Sequence, residues 1–384
     1  KGVSVDGSTV AARGKEDITG ATGVTVNNAT VESVGNLTVT ATKGNVSLSG
    51  GSKAGTDSAL VLDAKDGAVT LSGSAATAGT TAEVKAKTDV TVDETSRVWS
   101  KGNGTVNAGN NIEVKGVVKA GDFPDTVTSA EGIAGSSTLG MTAGKNLTVE
   151  GGKVASSGKL TLVATSGNLT VSGGKVATAD ALEAKALGTG KVSVGVGSTV
   201  VANKGATVTG ATGVTVDGST VEAKESLTVT ATKGDLVVKG TSKLGTNGKL
   251  TANAAEGSLK AQDTAVLTAG GEGDFDGKTG VEIDSSAKVL TKGNATIDSN
   301  NGAVAVQGTV KAGDFVVNEE TGVTTPLDPT AATLGITGKS VTVNAGKVAA
   351  SGKLTVTANG GGETDTGVQI QNGSKVASVG DIEI

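Results

Sequence analysis

The segment from Ile18 to Gly44 reads ITGATGVTVNNATVESVGNLTVTATKG, and it returns 190 residues later, from Val208 to Gly234, as VTGATGVTVDGSTVEAKESLTVTATKG. GVVKAGDF at Gly116–Phe123 returns as GTVKAGDF at Gly308–Phe315, and SGKLTLVA at Ser157–Ala164 as SGKLTVTA at Ser351–Ala358, with offsets of 192 and 194. Self-similarity limits a fold strongly, because each repeat must be a unit that stacks on the next. The 384 residues therefore divide into two copies, 1–190 and 191–384. A shorter period runs inside each copy. Strands of the LTVTA type are centred at Ile18, Val39, Leu62, Val84, Val106, Met141, Leu162 and Ala184 in the first, and at Val208, Val229, Ala252, Phe275, Ile297, Ile336 and Val356 in the second. Most steps are 21 to 24 residues.

One step holds three short strands divided by turns. From Leu37 to Ala54 these are LTVTA, VSLSG and a third beginning near Lys53, with Lys43, Gly44 and Asn45 at one corner and Gly50 and Gly51 at the next. In VTVDG and STVEA, alternation puts Val214, Val216, Val221 and Ala223 on one face and Thr215 and Glu222 on the other. Such strands bury their apolar face only by stacking coil on coil. The expected fold is all-β, a right-handed parallel β-helix (solenoid) of about 16–17 coils; at ~4.8 Å per coil this is a rod of roughly 80 Å. Left-handed β-helices keep a strict hexapeptide rule that these variable coils break.

Composition narrows the interior and the chemistry. Aromatics are 1% of residues, with three Phe, one Trp and no Tyr, so the core must be thin enough for Val, Leu, Ile and Ala to fill it. Cys and His are absent, which excludes disulfides and imidazole catalysis, and no cofactor is expected. A net charge of -5 and the lack of stacking aromatics argue against nucleic acid. No stretch nears the ~18 apolar residues of a membrane helix, so no membrane insertion is expected.

Two excursions leave the coil pattern at the same point of each copy, at about 122–137 and 314–332, and they contain every proline of the chain, Pro124, Pro326 and Pro329. Proline cannot donate to a strand ladder, so these read as loops leaving the rod. They differ between copies while their flanks match, as binding loops on a scaffold do and as unconstrained loops also do.

LTVTATKGNVSLSGGSKAG at Leu37–Gly55 and KLTLVATSGNLTVSGGKVA at Lys159–Ala177 resemble the repeats of filamentous haemagglutinin-like exoproteins of two-partner secretion. The resemblance covers nearly the whole chain. It implies a right-handed β-helix displayed outside a bacterial cell as an adhesin, toxin stalk or filament, and it is specific for fold rather than for activity.

Individual side chains add candidates. The dense acidic group Glu272, Asp274 and Asp276 comes nearest to a cation site; alternation makes Asp274 and Asp276 a solvated strand face, and no metal is expected. Trp99 points outward, as a partner-binding anchor or leaning on a neighbouring coil. Phe123 and Phe315 stand at the mouths of the excursions, where a ring can plug the gap of an opened coil. With Pro124, Pro326 and Pro329 these form the candidate partner-binding set. Lys53, Lys153, Lys175, Lys243, Lys347 and Lys375 form a basic stripe if they share a face. Outward Thr pairs at Thr38/Thr40, Thr228/Thr230 and Thr355/Thr357 are interrupted by Glu83 and Lys85, which spoils an ice-binding array. Asn-x-Ser/Thr sequons begin at Asn28, Asn36, Asn45, Asn146, Asn168 and Asn294, where Asn is also the natural turn residue.

The expected function is structural and not enzymatic: a stalk or filament segment of a cell-surface or secreted adhesin. Its partners would be glycans or proteins of host or neighbouring cells. Lys1 and Ile384 fall in mid-coil, which suggests a segment of a longer fibre or a subunit that self-associates end to end. A carbohydrate-active β-helix enzyme of the polysaccharide-lyase kind is the alternative from another class; it requires a stacked cleft of Asp and Lys.

Overall fold

The computed structural model describes residues 1–123, 133, 135–314, 331–360 and 366–384 in full and the backbone of 315–317 and 324–326. The described chain is a right-handed parallel β-solenoid with three strands per coil. Packing divides it into Lys1–Lys204 and Gly205–Ile384. Sequence duplication and packing are different properties, and the packing boundary lies beyond the 190/191 repeat boundary.

In the first unit sheet A runs from Val3–Asp6 to Val192–Val194, sheet B from Thr9–Ala12 to Thr199–Ala202, and sheet C from Glu16–Gly20 to Leu182–Ala186. In the second, sheet A runs from Val214–Asp217 to Val368–Gln371, sheet B from Thr220–Ala223 to Lys375–Ser378, and sheet C from Ala206–Gly210 to Ile382–Glu383. Among the described residues each sheet type numbers 16 strands, against the 16–17 coils expected.

The LTVTA centres fall in register as the period predicts. Ile18 pairs with Val39, Val39 with Leu62, Leu62 with Val84, Val84 with Val106, Val106 with Met141 and Met141 with Leu162. In the second unit Val208, Val229, Ala252, Phe275, Ile297, Ile336 and Val356 form the equivalent column. Leu37, Val39 and Ala41 of sheet C and Val46 and Leu48 of sheet A are wholly buried, while the alternate Thr38, Thr40 and Ser47 face outward. Full burial of each such Val or Leu contributes about 1.5–3 kcal/mol, and the contribution repeats with every coil.

Corners must satisfy backbone groups that the ladders leave over, and here buried hydroxyls do it. Between sheets A and B, Ser52 Oγ donates to Val26 O at 3.0 Å, Ser198 Oγ to Val171 O at 3.0 Å and Ser242 Oγ to Val216 O at 3.1 Å. Between sheets B and C, Ser33 Oγ donates to Gly35 O at 2.6 Å, Ser100 Oγ to Gly102 O at 2.8 Å and Ser156 Oγ to Gly158 O at 2.6 Å. The third corner is closed by close backbone approach: a Cβ on Gly44 would collide with Thr22 O of the coil below.

Candidate functional site

The candidate residues lie on outer sheet faces, so the ladder register decides which of them meet. On sheet B of the first unit the outward column runs Thr77, Trp99, Lys119, Ala155, Ala177. Trp99 leans on the next coil, where its Nε1 donates to Gly121 O at 3.2 Å and Lys119 Nζ sits 5.3 Å from the ring centroid. Lys119 Nζ also donates to Phe123 O at 2.9 Å. Trp99 and Lys119 therefore fasten the root of the first excursion, and the indole is committed to this contact rather than presented as a free platform.

Phe123 is 2% exposed and packs on Ala155 and Ala177, with Ile133 and Ala179 at the rim. Strand Lys153–Ser156 buries Val154, Ala155 and Ser156 in succession, which an alternating strand does only when both faces are covered. The ring thus has the packing role expected of it, but as a roof on the outer face of sheet B rather than in the coil gap. Phe315 begins a short strand, Phe315–Val317, antiparallel to Thr324–Pro326 with Phe315 opposite Pro326, so the second excursion has pairing of its own. Pro124 and Pro329 lie outside the described residues, as do the side chains of Phe315 and Pro326.

Both excursions leave through the same backbone device. Gly121 and Gly313 hold φ values of 81° and 100°, where L side chains are strained, and a Cβ on either would collide with a serine hydroxyl, that of Ser157 or Ser351. The repeated Lys-Ala-Gly-Asp-Phe segment is this exit.

The acidic group is split by its surroundings. Glu272 is exposed at a turn, while Asp274 and Asp276 lie half-buried on the outer face of strand Gly273–Gly277. Burial pushes the Asp274 carboxyl up, but the ion pair with Lys249 and a 2.8 Å bond donated by Thr296 Oγ1 outweigh it and hold it below the ordinary range. Asp276 is pushed up to about 6 by burial first, then by the charges of Asp298 and Asp274. Asp298 is also raised by burial, against a hydrogen bond with the Thr337 side chain. Among the described residues no cluster of three or more carboxylates could hold a metal ion. Asp274 and Asp276 beside Lys249, with Asp298 one coil further on, are the nearest approach to the Asp and Lys cleft of a carbohydrate-active β-helix, yet Lys249 is engaged by Asp274.

Other surface patterns resolve into structure. Within each unit the lysines fall at one outward register position of sheet B: Lys53 pairs with Glu32 and Lys243 with Glu222, each at 2.6 Å, while Lys153 stacks on Lys175 and Lys347 on Lys375. Sheet C carries Glu83 paired with Lys85 at 2.6 Å, and Glu183 paired with Lys159 at 2.7 Å and with Lys185, among its threonines. Sequon asparagines stack: Oδ1 of Asn45, Asn146, Asn168 and Asn294 each accepts a backbone N–H of the next coil at 2.9 Å. A residue without a signal in a single strand is Asp93. Its carboxylate accepts from Ser96 Oγ at 2.7 Å, Ser72 Oγ at 2.9 Å, Gly73 N at 3.0 Å and Thr95 N at 3.2 Å. Burial alone would raise it, but these donors hold it down to about 2. Thr95 and Ser96 belong to the turn of Asp93 itself, and a map of residues one coil apart reveals the other half of this clasp, Ser72 and Gly73.

A groove of about 550 Å³ crosses the first coils on sheet B, with Gly55 and Ala11 in its lining beside the Glu32–Lys53 pair, Arg13 and Asp57. A second of about 360 Å³ in the second unit is lined by Leu290, Ala349 and Ala377 with Lys288, Lys311, Lys347 and Lys375 around them. Comparison with protein-family models, with curated proteins and with solved structures found no match.

Proposed function

We propose that this chain is a structural segment of a bacterial cell-surface or secreted adhesin of the filamentous haemagglutinin-like kind, a β-helix that holds binding excursions out on its side. The observation that carries the reading is the repeated exit: in each copy the chain leaves the coil after Lys-Ala-Gly-Asp-Phe through a glycine of positive φ held against a serine. A scaffold that fixes a loop's root and lets its sequence differ between copies suits recognition. The partners would be glycans or proteins of another cell surface, met outside the producing cell. The test replaces 124–132 and 318–330, singly and together, by Gly-Ser linkers and measures binding of the full chain to cell surfaces and glycan arrays. Loss of binding with an unchanged far-ultraviolet circular dichroism spectrum is expected, and undiminished binding overturns the proposal.

A second reading, a polysaccharide-degrading β-helix, is favoured by Asp274 and Asp276 one coil on from Lys249, with Asp298 opposite Asp276 on the coil after. Oligosaccharide release from acidic polysaccharides by the purified chain, lost in Asp276→Asn, would establish it in place of the first.

A further inference from the structure

A parallel, in-register sheet stacks like on like, and at one point of sheet C it stacks acid on acid. The register sets Asp276 of strand Gly273–Gly277 directly against Asp298 of strand Ala295–Asp298. Neighbouring strands lie about 4.8 Å apart, a spacing at which two half-buried carboxyls ionise together only against strong repulsion.

The groups facing this pair compensate the repulsion only in part. From the coil before come Lys249, Thr251 and Asn253, with Asn253 opposite Asp276. On the pair's own strands stand Asp274 and Thr296, with Glu272 and Lys278 at the turns. From the coil after come Gly335 and Thr337, with Thr337 opposite Asp298. Lys249 is the cation that acts on Asp276, but its ammonium is paired with Asp274, and among the described residues Asp276 itself gains no hydrogen bond. Asp274 is satisfied twice over; Asp298 has the Thr337 side chain; Asp276 has a carboxylate for a neighbour.

We propose that Asp276 and Asp298 form a shared-proton site, in which one proton held between the two carboxyls fastens the seam between their coils and its loss loosens that seam. The direction follows from linkage. A carboxyl raised in the folded chain favours folding when protonated; its contribution is complete below the unfolded carboxylate value near 3.9 and is lost as pH rises through the folded value, about 6 for Asp276. The midpoints belong to the pair, so altering either partner moves the other. The seam would tighten on entering a mildly acidic environment, whichever partner the excursions recognise.

The test is a carboxyl-carbon nuclear magnetic resonance titration of the full chain labelled at aspartate. It is paired with amide hydrogen exchange across 273–277 and 295–298, corrected for intrinsic rate, at pH 4.5 and 7.5. The expected result is an Asp276 midpoint near 6 that falls by about one pH unit or more in Asp298→Asn, with amide protection in these strands several-fold lower at the higher pH. In Asp276→Asn that pH dependence is lost. An Asp276 midpoint near 4, a midpoint unmoved by Asp298→Asn, or protection that does not change with pH overturns the proposal. Millimolar calcium is expected to leave the midpoint in place; a marked fall would make the pair a cation site and overturn it equally.

Discussion

Phe275 is the ring that a thin aliphatic interior has least room for, and the residues around it show how it fits. It is wholly buried in a column that holds Ala252 on one side and Ile297 on the other. Two residues away, a Cβ on Gly273 would lie 2.5 Å from Phe275 Cε2 and 2.6 Å from Thr291 Cγ2. The missing side chain at 273 is thus the space into which the ring extends. Phe275→Ala should cost about 3–5 kcal/mol. Phe275→Leu should cost only about 1–1.5 kcal/mol, because Leu62 and Leu162 stand at the same strand position in other coils of sheet C. Gly273→Ala in the native background should cost about 1–3 kcal/mol by overpacking. Combined with Phe275→Leu it should cost less, since the shorter side chain vacates the space and only the Thr291 methyl remains in the way. The double variant should be more stable than the sum of the single effects predicts by about 1–2 kcal/mol. Urea unfolding by far-ultraviolet circular dichroism, with hydrogen exchange across 250–298 as the local readout, measures it; local readout matters because stacked repeats need not unfold all together. Additivity within ~0.5 kcal/mol would refute the argument that glycine and ring share one space.

Removing the Asp93 clasp by Asp93→Ala should destabilise the first unit by about 1–3 kcal/mol at neutral pH, read by urea unfolding. Because Asp93 is lowered to about 2, its contribution is complete above the unfolded value of 3.8 and is lost as pH falls through about 2; the variant should lack that part of the acid dependence. Lys119→Ala should raise the accessibility of Trp99 to acrylamide quenching and loosen the amides at Gly121 and Phe123, whereas an unchanged quenching constant would mean that the indole does not depend on Lys119 for cover.

How far the sequence reaches can be judged residue by residue. Alternation and a step of a little over twenty residues placed Ile18, Val39, Leu62 and the rest of that column in register, because a side-chain period of two leaves little freedom once one face is buried. The outward direction of Trp99 was legible for the same reason, and its partners were within reach, since Lys119 lies one coil on. The buried serines were not legible. Nothing in the sequence distinguishes Ser52 and Ser242 from other polar residues near a corner, and only the fold reveals that their hydroxyls complete the corners from inside. Phe123 as a roof escaped because the alanines under it, Ala155 and Ala177, lie outward where alternation leads one to expect solvent. Asp298 carries no signal beside Asp276 in the sequence, because the two meet across coils and not along one strand.

Everything rests on the register of neighbouring coils, and a chain without cysteine allows it to be tested directly. Thr38 and Val61 are in-register partners on the outer face of sheet C, as are Thr228 and Thr251 in the second unit. At about 4.8 Å their Cα atoms lie within disulfide range. Thr38 and Glu83, two coils apart, are separated by about 9.6 Å and lie outside it. Under mild oxidation Thr38→Cys/Val61→Cys and Thr228→Cys/Thr251→Cys should close within the monomer and Thr38→Cys/Glu83→Cys should stay reduced. Closure of the two-coil pair, or failure of both in-register pairs, would contradict the solenoid.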